Sequence, residues 1–119
     1  MKAENKKTGN AGEDLAEKFL KNIGYRIIGR NLRTKIGEID ILAREGESIV
    51  IVEVKTKTTD RFGEGFEMVD FFKKRKLLQL ANQLRIKYPQ NVIRIDIISV
   101  NSAVNPPEIK HFISTVEDD

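Results

Sequence analysis

Apolar residues recur at helical spacing between Gly12 and Ile23, with Leu15, Ala16, Phe19, Leu20 and Ile23 on one face and Gly24 as a natural stop. The pattern predicts an amphipathic helix, preceded by residues 1–9 as a flexible polar leader. A strand is expected from Tyr25 to Leu32, ending in a polar turn. Two β-branched runs follow, Gly37 to Ala43 and Ser48 to Lys57, and the short break Arg44-Glu45-Gly46-Glu47 between them reads as a hairpin. A second helix, capped by Asp70 and stopped by Pro89, has Leu77, Leu78, Leu80, Ala81 and Leu84 on its inner side. Val92 to Val100 is the next strand, apolar on one face with Arg94 and Asp96 on the other. Glu108 to Ile113 forms a short edge strand, and residues 114–119 are a second flexible tail.

Helix, strand, strand, strand, helix, strand, strand is the order of an α/β domain with a mixed central β-sheet flanked by helices. A chain of 119 residues can bury one core and not two, so a single domain is expected. The balance of 39% hydrophobic and 33% charged residues predicts a folded globular protein. The absence of cysteine excludes disulfides, thiolate zinc sites and cysteine nucleophiles. No apolar run reaches membrane-spanning length and the first residues do not form a signal peptide, so a cytoplasmic protein with no membrane partner is expected.

The net charge of +3 matters less than its distribution. Arg26, Arg30, Arg33 and Lys35 lead into the hairpin and Lys73 to Lys76 open the second helix, while Glu117, Asp118 and Asp119 close the chain. That asymmetry predicts a basic surface near the hairpin and an anionic partner. Lys73 to Lys76 are consecutive, so they fan around the helix and cannot all reach one ligand.

The hairpin holds the candidate chemistry. Strand alternation puts Glu53, Lys55 and Lys57 on one face and Val50, Val52 and Val54 on the other, and Asp40 lies on the partner strand, thirteen residues before Glu53. Two converging carboxylates repel unless a cation sits between them, and oxygen ligands select hard ions such as Mg²⁺ or Mn²⁺. The Val54 backbone carbonyl could supply a further ligand. Lys55 could orient a water or offset charge on a phosphate, which makes phosphodiester hydrolysis the natural reaction. Glu13 borders the apolar face of the first helix and could look into the same region, or simply complement the helix dipole. The strand charges have an alternative of their own, a cross-strand network on an exposed sheet. The Gly-rich stretch from Thr58 to Gly65 is a candidate substrate-contact loop.

These residues resemble the UPF0102, or YraN-like, family of predicted endonucleases in the PD-(D/E)xK restriction-endonuclease-like superfamily, related to archaeal Holliday junction resolvases. The resemblance spans Gly12 to Val100. It rests on Gly12-Glu13, Asn31-Leu32-Arg33, Gly37-Glu38-Ile39-Asp40-Ile41, Val52-Glu53-Val54-Lys55, Phe62-Gly63, Val69 with Lys73, and Arg94-Ile95-Asp96-Ile97. It implies a restriction-endonuclease-like fold, Asp40 and Glu53 as metal ligands, Lys55 as the catalytic lysine and Glu13 as an auxiliary acid. The family pattern usually has arginine where this chain has Lys57, which keeps the charge without the bidentate fork.

The expected function is a Mg²⁺- or Mn²⁺-dependent endonuclease hydrolysing DNA, selective for branched or Holliday-junction-like structure. Arg33, Lys57 and Lys73 are candidate DNA-backbone contacts, which fix register without reading sequence. A homodimer would match the two-fold symmetry of a four-way junction. The alternatives are a non-catalytic DNA-binding or repair-scaffold module that retains the nuclease fold, and an interaction domain whose strand charges are structural.

Overall fold

The computed structural model describes the backbone of residues 2–58 and 71–114. The elements are α1 (Lys2–Asn22), β1 (Arg26–Arg33), β2 (Glu38–Glu45), β3 (Ser48–Lys57), α2 (Phe71–Lys87), β4 (Val92–Asn101) and β5 (Glu108–Phe112), in the order the hydrophobic pattern predicts. Most of the Gly-rich stretch, together with Val69 and the expected cap Asp70, lies outside the described residues, as do residues 115–119.

Helix α1 begins at Lys2, well ahead of the expected start, so the leader is helical. Lysine, alanine and glutamate are good helix formers, and extending a nucleated helix adds a hydrogen bond for each residue fixed. At the other end, Tyr25 N donates to the Leu20 carbonyl at 2.9 Å and Gly24 N to the Lys21 carbonyl at 3.1 Å. This is a Schellman closure around Gly24, whose φ of +98° disfavours a residue with a Cβ.

The five strands form one sheet in sequence order. All neighbours are antiparallel except β3 and β4, which run parallel. A parallel pair needs a crossover, and α2 makes it. The β2–β3 hairpin is tight, with Glu45 paired to Ser48 across Gly46 and Glu47.

The two helices cover opposite faces. Leu77, Leu80 and Leu84 of α2 pack on Ile49, Ile51, Ile95 and Ile97, while Ala16 and Leu20 of α1 pack on Ile41, Val50, Val52, Ile98 and Val100. Successive residues of β3 therefore enter different cores, which explains its near-continuous Ile/Val run. Each fully buried Leu or Ile contributes roughly 1.5–3 kcal/mol. Register is fixed accordingly, because a one-residue slip of β3 would carry Glu53 into the Leu20 core. Helix α1 also lies directly against the end of β3: a Cβ on Gly12 would fall 2.0 Å from Thr56 Oγ1.

The result is an α/β domain with a mixed five-stranded sheet flanked by two helices, compatible with a restriction-endonuclease-like fold. Among the described residues, no helix is long and apolar enough to cross a membrane.

Strand β4 differs from its expected two-faced pattern. Asp96 is fully buried, on the same face as Ile98 and Val100. Its carboxylate accepts hydrogen bonds from Arg94 Nε at 2.9 Å, Tyr25 Oη at 3.3 Å and the Ser114 amide at 3.1 Å, and it meets His111 Nε2 at 2.7 Å. A charge can lie in this core because both of its oxygens meet polar partners. Ser114, expected within a flexible tail, is tied to the sheet by that bond.

Candidate active site

The β2–β3 ladder pairs Ile41 with Val52 near the open end of the hairpin, so Asp40 and Glu53 follow side by side just beyond it. Asp40 Oδ2 accepts the Val54 amide at 2.9 Å. In an extended strand the N–H and C=O of one residue point to the same side, so the Val54 carbonyl also faces the Asp40 edge of β3. Asp40 is thus fastened beside Glu53, close enough for the Glu53 charge to act on its carboxyl.

Glu53 is the most confined of these groups, with its side chain only 4% exposed. Both nearby ammonium groups approach one of its oxygens, Lys55 Nζ at 3.3 Å and Lys73 Nζ at 3.2 Å from Oε2. The other oxygen, Oε1, is buried with no hydrogen-bond partner among the described residues. An unpartnered carboxylate oxygen in a dry site is costly. Burial pushes the Asp40 carboxyl up, and the Glu53 charge pushes it further, to about 7, against the pull of the Val54 amide. Two acids at one edge, one with its charge suppressed and the other with an oxygen unused, have the chemistry of a hard-cation site. These residues fit a divalent ion. Among the described residues no group of three or more acidic or histidine side chains is placed to hold a metal ion, so Asp40 and Glu53 would need the Val54 carbonyl and water to complete a ligand set.

Glu13 is mostly buried, and its charge is close enough to raise the Asp40 carboxyl. It reaches this position because α1 sits hard against β3 at Gly12 and Thr56. Arg30 of β1 holds it at 3.3 Å and also contacts Asp14 at 2.6 Å and Glu17 at 3.2 Å. Among the expected backbone contacts, Lys73 lies on Glu53, and Lys57 ends β3 on the same strand as Lys55. Arg33 ends β1, highly exposed and 3.7 Å from Glu38, at the end of the sheet where β2 begins.

Three features escape sequence reasoning. Arg30 is one of several arginines ahead of the hairpin, and nothing in its spacing marks it as the partner of three acids on α1. The reach of Lys73 to Glu53 depends on how the crossover places α2. Tyr25, Asp96 and His111 come together from distant parts of the chain, and the sequence places Asp96 only on the polar face of its strand with Arg94.

Comparison with known proteins is consistent along the chain. Residues 12–100 match the family model described as "Uncharacterised protein family UPF0102". A UPF0102 protein of Geobacter metallireducens is 39% identical over 119 residues, covering 98% of each chain. One from Caldanaerobacter subterraneus subsp. tengcongensis is 43% identical over 113 residues, covering 92% of this chain and 90% of its own. A third, from Caldicellulosiruptor saccharolyticus, is 44% identical over 94 residues, covering 77% of this chain and 80% of its own.

Proposed function

The chain belongs to the UPF0102 family, and we propose that it is a metal-dependent endonuclease that hydrolyses DNA phosphodiester bonds at Asp40, Glu53 and Lys55. The observation that carries this reading is the buried Glu53 Oε1, which has no hydrogen-bond partner among the described residues and stands beside a second carboxylate that resists ionisation. A structural salt-bridge network would satisfy both oxygens of such a group. A cation ligand leaves one open.

Asp40, Glu53 and the Val54 carbonyl would hold Mg²⁺ or Mn²⁺, which when bound supplies Lewis-acid charge to a phosphate oxygen. Lys55 projects from the same strand as Glu53, with its side chain 26% exposed. There it offsets negative charge that builds on the phosphate and orients the attacking water. Glu13, held by Arg30, is the auxiliary acid that adds negative charge near Asp40. Arg33, Lys57 and Lys73 bind backbone phosphates, a mode of contact that favours recognition of DNA shape over base sequence. Branched DNA is therefore the substrate class proposed, and a two-fold dimer would present two such sites to a four-way junction.

The test is a cleavage screen over duplex, single-stranded, flap and four-way-junction DNA with Mg²⁺ and Mn²⁺. Cutting of a branched substrate, abolished by chelator and by Lys55→Met, supports the reading. Salt-sensitive DNA binding with no cleavage under any of these conditions would replace it with a non-catalytic DNA-binding module.

A further inference from the structure

We infer that Lys73 is a positioning residue that occupies the metal-free site: its ammonium neutralises the buried Glu53 carboxylate until a divalent cation arrives, then moves to a DNA phosphate. This rests on the proposed role of Asp40 and Glu53 as metal ligands.

Glu53 has two ammonium partners on the same oxygen, at 3.2 and 3.3 Å. Lys55 is tied to β3 two residues away and stays near the strand whatever its rotamer. Lys73 reaches across from the first turn of α2, and its side chain is 36% exposed against 26% for Lys55. It is the partner with room to leave.

A divalent ion on Asp40 and Glu53 would lie close to both ammonium groups, and like charges at such distances repel strongly in a poorly solvated site. Cation binding and the Lys73–Glu53 ion pair therefore compete. Once displaced, Lys73 remains at the mouth of the site with its charge available to a phosphate. The arrangement keeps a buried carboxylate compensated in the metal-free protein and releases a phosphate ligand when the metal enters.

The experiment is a Mn²⁺ titration of the full chain, read by the loss of the free-ion electron paramagnetic resonance signal, with thermal melting in chelator alongside. Lys73→Met should tighten Mn²⁺ binding by about tenfold and lower the melting temperature in chelator. Lys73→Arg, which keeps the charge, should stay near wild type in both. Lys87→Met, the same loss of charge at the far end of α2, should leave Mn²⁺ affinity unchanged. If Lys73→Met binds Mn²⁺ no more tightly than wild type, the placeholder role is overturned while the metal site stands. If neither wild type nor Lys73→Met binds Mn²⁺ saturably, the proposed metal site fails and the inference fails with it.

Discussion

The Asp40 carboxylate accepts the Val54 amide at 2.9 Å, so the acid of β2 is fastened to the residue between Glu53 and Lys55. Asparagine at position 40 keeps an oxygen that can accept this bond and removes the charge that opposes Glu53. Asp40→Asn should therefore fold and melt at or above the wild-type temperature in chelator. Its Mn²⁺ affinity should fall by more than about tenfold, because carboxylate charge sets the affinity of oxygen-ligand sites. Calorimetric titration together with a melting curve checks both halves.

Gly12 sets the distance between α1 and the end of β3. A Cβ there would meet Thr56 Oγ1 at 2.0 Å and Thr56 Cβ at 3.3 Å. Gly12→Ala should cost about 1–3 kcal/mol through overpacking, even though alanine is the better helix former. Removing the clashing hydroxyl with Thr56→Ala should restore most of that loss, leaving the tighter 3.3 Å contact as the remainder. A double-mutant cycle by urea denaturation measures the coupling. Additive effects of the two changes would contradict the close approach.

Asp96 anchors the core beneath α1, where Arg94, Tyr25, His111 and Ser114 all meet its carboxylate. Burial pushes this carboxyl up, but the hydrogen bonds from His111, Arg94 and the Ser114 amide outweigh it and hold the group below its ordinary value of 3.8. Burial and the Asp96 charge push the Tyr25 hydroxyl up to about 12, so it stays a donor at neutral pH. Asp96→Ala leaves Arg94 partly buried with its main partner gone and should cost about 3–5 kcal/mol.

The pH dependence of that anchor has a definite sign. An acid whose folded pKa is depressed contributes stability that is present above its unfolded value and is lost as pH falls through the folded value. Wild type should thus lose stability below about pH 4 more steeply than Asp96→Asn, which has no proton to gain there. Denaturation midpoints of the two proteins over an acid series give the comparison.

The helices and strands were legible because both kinds of periodicity were strong: Leu15, Ala16, Phe19 and Leu20 at helical spacing, and β-branched runs on either side of Gly46. The convergence of Asp40, Glu53 and Lys55 could be read from hairpin pairing and alternation alone. The burial of Asp96 could not, since alternation assigns a face without saying whether a helix or water covers it. Here α1 covers the face that Asp96 shares with Ile98 and Val100. The helical leader ahead of Gly12 was hidden for a different reason. Its residues have no apolar periodicity, and propensity alone is a weak guide when an existing helix can simply be extended.

The central claim is that Asp40 and Glu53 together hold the divalent ion of a DNA-cleaving site. Its most direct test is the rate at which purified wild type and Asp40→Asn cut a four-way DNA junction in Mn²⁺, with chelator as the blank. The account predicts metal-dependent cutting by wild type and a loss of at least about a hundredfold in Asp40→Asn, the scale expected when stabilisation of developing charge is removed. Cleavage undiminished in Asp40→Asn would contradict it.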